Sequence, residues 1–131
     1  MNNLISKYNT PVPRYTSYPP ANFFHEHFSE SDLLQAIELS NHQEPRHVSF
    51  YIHIPYCRRM CYYCGCNSYP RTTDAEEEAY IDAVIKEIER VCSKIDKKRK
   101  IAQIHYGGGS PTSINLKYIQ RINGLLFSKF E

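Results

Sequence analysis

Residues 48–66 read VSFYIHIPYCRRMCYYCGC, an apolar segment followed directly by a loop that carries four cysteines. The segment 48–54 is dominated by β-branched and aromatic residues in a nearly continuous run, which is typical of a buried strand. The loop spaces its cysteines as C-x3-C-x2-C, and the fourth follows two positions later. We therefore predict a strand that presents a cysteine-rich loop at its carboxyl end.

The spacing of Cys57, Cys61, Cys64 and Cys66 restricts the chemistry of this loop. Cysteines so close in sequence would strain a disulfide, and structural zinc sites usually separate two ligand pairs by a dozen or more residues. Thiolates on one short loop suit an iron–sulfur cluster, and three of them would leave one iron of a [4Fe–4S] cube open to a small molecule. A zinc knuckle completed by Cys66 or His53 is the alternative.

From residue 47 the chain repeats a strand–helix unit. The strand at 48–54 is followed by a capping box and a helical pattern over 73–95, and a second strand at 101–106 is followed by a helical pattern over 116–126. The basic turn 97–100 is interpreted as the solvated end of the first helix. This order predicts an α/β fold with parallel strands joined by crossovers.

Parallel strands would place two distinctive loops on one rim, where such folds bind ligands. The second loop is Gly107-Gly108-Gly109-Ser110, which lacks the lysine of a phosphate-binding P-loop. Its bare backbone could contact the ammonium and carboxylate of an amino acid. The alternative is a plain tight turn.

The remaining features bound the class of protein. Residues 1–46 are predicted to form a Pro/Tyr-rich irregular arm and a short helix that starts near Ser29, and residues 47–131 to form the two strand–helix units. A net charge of +2 is too small to argue for nucleic acid or a membrane surface, and the chain has no apolar run long enough for a membrane span, so we predict neither kind of partner. Five cysteines without a secretory signal predict a cytoplasmic location.

Four stretches carry a family resemblance. C-x3-C-x2-C is the signature of radical S-adenosylmethionine (SAM) enzymes, and the flanking residues resemble the oxygen-independent coproporphyrinogen III oxidases among them. The matching stretches are PVPRYTSYP at 11–19, YIHIPYC at 51–57, CYYCGCN at 61–67 and GGGSPT at 107–112. The resemblance implies the N-terminal part of a partial (β/α) barrel, in a chain much shorter than the family's full enzyme.

The resemblance also implies roles for the cysteine loop. Cys57, Cys61 and Cys64 would hold a [4Fe–4S] cluster, with SAM on its open iron. Cys66 would lie near the chemistry without holding the cluster, and His53 would be close to the reacting groups. A small buried cysteine and a satisfied structural histidine are the alternatives.

Five further residues are implied as SAM contacts. They are Tyr51, Tyr63, Gly108, Gly109 and Ser110. A second SAM would lie beside the first on the side of Gly109 and Ser110, where the family usually has threonine in place of the serine. Tyr63 could equally form a lid over the cluster.

Three arginines are candidates of another kind. Arg14 could pair with a substrate propionate, or it could fix the arm through a salt bridge. Arg58 and Arg59 would favour the thiolate forms of the neighbouring cysteines, or they would simply face solvent.

The reaction implied is the oxidative decarboxylation of two propionate side chains of coproporphyrinogen III, which gives the vinyl groups of protoporphyrinogen IX. A 5′-deoxyadenosyl radical from SAM would take hydrogen from the β-carbon of each propionate. A flavodoxin or ferredoxin would supply electrons, and the full-length enzyme would be a monomer. We expect the 131-residue chain to be a fragment that is inactive alone.

Two other functions remain open. One is a related radical SAM paralogue in haem delivery or utilisation, which would typically lack the extension that ends in Cys66. The other is a non-catalytic module that binds an iron–sulfur cluster or zinc.

Overall fold

The computed structural model describes residues 2–9, 21–70 and 73–130. The helices and strands within these ranges are α1 (Asn2–Tyr8), α2 (Glu30–Ser40), β1 (His47–Ile54), β2 (Tyr56–Cys57), β3 (Tyr69–Pro70), α3 (Asp74–Cys92), β4 (Lys100–Gly108) and α4 (Leu116–Lys129). Two short 3-10 helices lie at Ala21–Phe23 and Pro111–Ser113. The chain divides into two compact units, Met1–Glu30 and Ser31–Glu131.

The N-terminal unit contains α1, a helix that the proline-rich composition of the arm did not predict. It ends at Tyr8, before the first of the prolines that oppose regular helix. The arm stretch 11–19, including Arg14, lies outside the described residues. Phe23, Phe24 and Phe28 expose more than half of their surface in this unit.

The larger unit is built on the parallel pairing of β1 with β4, as predicted. The register joins Tyr51 to His105 and Ile54 to Gly108, so the two strands end at the same edge. Within the described residues these two strands form the whole of their sheet, and no barrel is closed. The cysteine loop and the glycine segment therefore begin side by side.

Alternation along β1 separates a core face from a free face. Ile52 and Ile54 are buried, whereas Tyr51 is 61% exposed and His53 is partly exposed on the opposite face. The helices α3 and α4 cover the core face. The buried core comprises Ile52, Ile54, Ile81, Ile88, Cys92, Ile114, Tyr118, Ile122, Leu126 and Phe130.

The predicted capping box opens α3. The Thr73 hydroxyl accepts a hydrogen bond from the Glu76 backbone N–H, while the Glu76 carboxylate accepts one from the Thr73 N–H. The helix ends at Cys92 rather than continuing to 95, and the Ser93 N–H donates to the Glu89 carbonyl there. Burial in the core raises the pKa of the Cys92 thiol. None of the described helices is long and apolar enough to cross a membrane.

The interpretation of residues 97–100 as a solvated helix end is wrong for Arg99. Its side chain is only 8% exposed, and it donates hydrogen bonds to Ser40 Oγ at 2.9 Å and to the His47 carbonyl at 3.0 Å. Nε is the only buried side-chain nitrogen or oxygen without a partner in the described parts of the chain. The turn packs against the carboxyl end of α2, so Arg99 becomes a buried link between α2 and the start of β1.

We predict that Arg99→Ala lowers the free energy of unfolding by about 1–3 kcal/mol, because it leaves the His47 carbonyl and the Ser40 hydroxyl without their donor. Lys98→Ala, in the same turn but exposed, should change it by less than about 0.5 kcal/mol. Urea unfolding followed by circular dichroism measures both. Equal stabilities of the two variants would contradict the structural role of Arg99.

Candidate functional site

The cysteine loop is closed at its base by backbone pairing. Strand β2 pairs in parallel with β3, and the Tyr69 N–H donates to the Pro55 carbonyl at 2.7 Å. Within the loop, the Cys64 N–H donates to the Cys61 carbonyl at 3.2 Å. The chain therefore leaves β1, forms the loop and returns beside its own starting point.

His53 ties β1 to the far side of this loop. Its Nε2 lies 2.8 Å from the Asn67 carbonyl oxygen, which can only accept, so Nε2 carries the proton. In the neutral ring Nδ1 then accepts from the Tyr51 hydroxyl at 3.3 Å. The Tyr80 hydroxyl donates to the His53 carbonyl at 2.7 Å, so α3 holds the same residue through its backbone.

Tyr51 covers the start of the glycine segment on the free face of the sheet. Its ring stacks on His105, with centroids 5.6 Å apart and an interplanar angle of 15°. A Cβ placed on Gly107 would lie 2.6 Å from the Tyr51 ring, so a larger residue would displace the tyrosine. The edge at which both strands end thus carries an aromatic surface open to solvent.

The next two glycines allow the glycine segment to approach the cysteine loop. Gly108 has a φ of +113°, which L side chains rarely adopt, and a Cβ there would lie 2.6 Å from the Ile54 carbonyl oxygen. A Cβ on Gly109 would lie 2.7 Å from Cys57 Sγ. The Gly109 N–H donates to the Ile54 carbonyl at 2.9 Å, so this close approach is fixed by the backbone.

Serine hydroxyls complete the contact between the two loops. Ser110 Oγ donates to Cys57 Sγ at 3.7 Å, and the Ser110 N–H donates to the Tyr56 carbonyl at 2.9 Å. The same carbonyl accepts from Ser113 Oγ at 3.1 Å. The structure therefore brings Cys57, Gly109 and Ser110 together, as expected for loops on one rim.

Cys64 and Cys66 lie in a different environment from Cys57. Ser68 Oγ is 3.5 Å from Cys64 Sγ, and this hydrogen bond, with one from the Cys66 backbone, lowers the pKa of the Cys64 thiol. Hydrogen bonding to Cys64 and its negative charge raise the pKa of Cys66. A serine and a backbone group, rather than the neighbouring arginines, therefore favour the Cys64 thiolate.

The three predicted ligands share one loop, but their thiols are not gathered. In the ranges 2–9, 21–70 and 73–130, no three His, Cys, Asp or Glu side chains lie close enough to hold a metal ion. Cys61 and Cys64 are exposed, and Tyr63 exposes 91% of its surface. The donor set still fits an iron–sulfur cluster in its chemistry, because it consists of three accessible thiols on a short loop without a competing carboxylate.

Several residues of the site were missed by sequence reasoning. Tyr80 falls on the apolar face of its helix, so its hydroxyl gave no signal of a bond to β1. Asn67 takes part through its backbone carbonyl, which any residue type could supply. Ser68 and Ser113 had a weak signal, since each is a small hydroxyl residue close to one of the two loops.

Comparisons with known proteins agree on one family. No family model matches the chain. The oxygen-independent coproporphyrinogen III oxidase of Salmonella typhimurium is 42% identical over 127 residues, which are 97% of this chain and 27% of that protein. The protein of the same name from Mannheimia haemolytica is 36% identical over 128 residues, which are 98% of this chain and 85% of that sequence.

A solved structure gives the same result. Coproporphyrinogen III oxidase from Escherichia coli, described as a radical SAM enzyme, superposes with a TM-score of 0.79 at 35% identity. The match covers 98% of this chain and 27% of that one. The chain thus spans about a quarter of the length of the first curated relatives that it matches.

We predict that Gly109→Ala displaces Cys57 and destabilises the fold by about 1–3 kcal/mol, because its methyl group would overlap the sulfur. Gly65→Ala is a matched control in the cysteine loop, since a Cβ there meets nothing within 4 Å. Urea unfolding and the rate of alkylation at Cys57 measure the two effects. If both variants behaved like the parent chain, the close contact between the loops would be absent in solution.

Proposed function

The chain belongs to the oxygen-independent coproporphyrinogen III oxidase family, and from that premise we propose that it acts in radical SAM decarboxylation of coproporphyrinogen III to protoporphyrinogen IX. The observation that supports this most directly is the contact of Cys57 with Gly109 and Ser110 at the edge where β1 and β4 end. It joins the predicted cluster loop to the predicted SAM loop. Haem biosynthesis is the pathway that this reaction serves.

In this proposal Cys57, Cys61 and Cys64 hold a [4Fe–4S] cluster. When bound, the cluster and SAM supply one-electron chemistry that can remove hydrogen from an unactivated carbon. The chain provides the thiolates, and Ser68 supports that of Cys64. Cys66 stays outside the cluster and acts at the substrate.

The glycine segment would receive SAM through its backbone. Gly108 and Gly109 carry no side chain, so their carbonyl groups can contact the amino-acid part of a ligand directly, while the Gly109 N–H is engaged by the Ile54 carbonyl. Ser110 adds a hydroxyl, and Tyr51 and Tyr63 add exposed aromatic rings. We also propose a second SAM molecule on the side of Gly109 and Ser110.

His53 would contribute by positioning. Both of its ring nitrogens are engaged, one by the Asn67 carbonyl and one by the Tyr51 hydroxyl. The ring therefore fixes the distance between β1 and the returning end of the cysteine loop.

The proposal includes three further expectations. A flavodoxin or ferredoxin would donate the electrons. The enzyme would be located in the cytoplasm, and its full-length form would be a monomer.

We predict that the chain binds one oxygen-sensitive [4Fe–4S] cluster on anaerobic reconstitution with iron and sulfide. Serine in place of Cys57, Cys61 or Cys64 should abolish the visible charge-transfer absorption, because each removes a ligand. Cys66→Ser, in the same loop, is the matched control and should retain it. Iron and sulfide analysis with EPR of the reduced protein makes the measurement.

Two results would contradict this assignment. Loss of iron in Cys66→Ser as complete as in Cys64→Ser would remove the open iron that the mechanism needs. Stoichiometric zinc in the aerobically purified chain, with no cluster after reconstitution, would favour a zinc-binding module.

We further predict that the reconstituted 131-residue chain cleaves SAM slowly without forming vinyl product. The free face of the sheet is open to water, since Tyr51 is 61% exposed, and Tyr62 in the cysteine loop is fully exposed, whereas water exclusion is needed to protect a reactive intermediate. Chromatography of 5′-deoxyadenosine and of porphyrin products, with coproporphyrinogen III present, gives both quantities. Steady formation of protoporphyrinogen IX would show that these residues suffice.

A further inference from the structure

Acidic residues are absent from both segments that build the rim. Residues 45–73 and 97–130 contain no Asp or Glu, although the whole chain has 14. The cysteine loop and the glycine segment lie entirely within these two ranges. The two segments that carry these loops therefore contribute basic residues and no carboxylate of their own, although the net charge of the whole chain is only +2.

A cleft of about 440 Å³ opens between the two loops. It is lined by Arg58 and Arg59 from the cysteine loop and by Ser110, Thr112 and Ser113 from the segment after β4. Within the described residues, neither arginine side chain has an ion-pair or hydrogen-bond partner. The buried Arg99, by contrast, donates hydrogen bonds to Ser40 Oγ and to the Pro45 and His47 carbonyls.

The hydroxyls of the cleft divide into two kinds. Ser110 Oγ donates its proton to Cys57 Sγ, and Ser113 Oγ donates its proton to the Tyr56 carbonyl. Each has one proton, so neither can also donate to an anion. The donors left for a ligand are the two guanidinium groups and the exposed Thr112 hydroxyl, a set that matches the planar geometry of a carboxylate.

We propose that this cleft is a binding subsite for the carboxylate of a small molecule. The identity of the small molecule rests on the proposed function. Its carboxylate is either a propionate of the porphyrinogen or the amino-acid carboxylate of SAM. The cleft adjoins Cys57 through Ser110, so a carboxylate held there would anchor its molecule beside the cluster loop. The concave shape favours a small ligand over the broad surface of an acidic protein.

Coproporphyrin III, which carries four carboxylates, and its tetramethyl ester, which carries none, are the probes for the first source. Each is titrated by absorbance into the 131-residue chain and its variants. The double variant Arg58→Gln/Arg59→Gln should bind coproporphyrin III about tenfold more weakly, corresponding to about 1.4 kcal/mol. Its weak binding of the ester should be unchanged.

Lys97→Gln/Lys98→Gln is the matched control. It removes the same charge from another consecutive basic pair, at the amino end of β4, roughly 25 Å from the rim along that strand. A general loss of positive charge would weaken binding equally in both double variants, whereas a subsite in the cleft weakens it only in the arginine variant. Circular dichroism confirms that the exposed substitutions leave the fold intact.

SAM and methionine are the probes for the second source, by equilibrium dialysis against the reconstituted chain. Weaker binding of these two in the arginine variant, with coproporphyrin III unaffected, assigns the cleft to the amino-acid carboxylate. If the arginine variant binds every carboxylate probe as tightly as the parent chain does, the proposal is overturned. The arginines would then be available to contact an acidic protein partner.

A citrate titration followed by thermal unfolding separates this proposal from the proposed function. Citrate should raise the unfolding temperature of the parent chain and of the lysine variant, but not that of the arginine variant. If citrate gives this result but neither coproporphyrin III nor SAM binds the parent chain, carboxylate binding in the cleft is supported and the proposed function is contradicted. If citrate raises the unfolding temperature of the arginine variant as much as that of the parent chain, the proposal that the cleft binds a carboxylate is overturned.

Discussion

The parallel pairing of β1 with β4 is the constraint on which the rest of the site depends. It ends both strands at one edge, where the Ile54 carbonyl accepts a hydrogen bond from the Gly109 N–H at 2.9 Å. That bond carries the glycine segment across the end of β1 and against Cys57. An antiparallel arrangement of the same strands would have placed the two loops at opposite ends of the sheet.

Alternation along β1 gives a single strand two tasks. Ile52 and Ile54 enter the core beneath α3 and α4, while Tyr51 and His53 build the free face above the loops. Each core-facing residue of β1 is adjacent in sequence to a residue of the free face. A substitution in the core can therefore displace a side chain of the site through a single peptide unit. The Tyr80 hydroxyl, which holds the His53 carbonyl, is the most direct such route from a helix.

The sequence was informative wherever a short-range rule applied. The capping box at Thr73, the two strands, their parallel pairing and the proximity of Cys57 to Gly109 follow from local patterns and from one topological rule. The burial of Arg99 and the link from His53 to the Asn67 carbonyl do not, because each depends on segments many residues apart and on backbone groups that every residue has. The sequence predicted an end for α3 that is three residues too late. The reason is that Ile95 continues the helical spacing of apolar residues but lies in the following turn.

The loop is organised at its base and open at its centre, and this difference has an energetic consequence. Cys57 is held by the serine and glycine of the neighbouring segment, whereas Cys61 and Cys64 are exposed and are joined to each other by a single backbone hydrogen bond. In the proposed function, drawing the three thiolates together costs loop entropy, which metal–sulfur bonds would offset. Since β2, β3 and His53 already join the ends of the loop, only its inner residues remain to be ordered. Cluster binding and the folding of this edge would then be coupled, with Cys57 as the fixed point from which the other two ligands close.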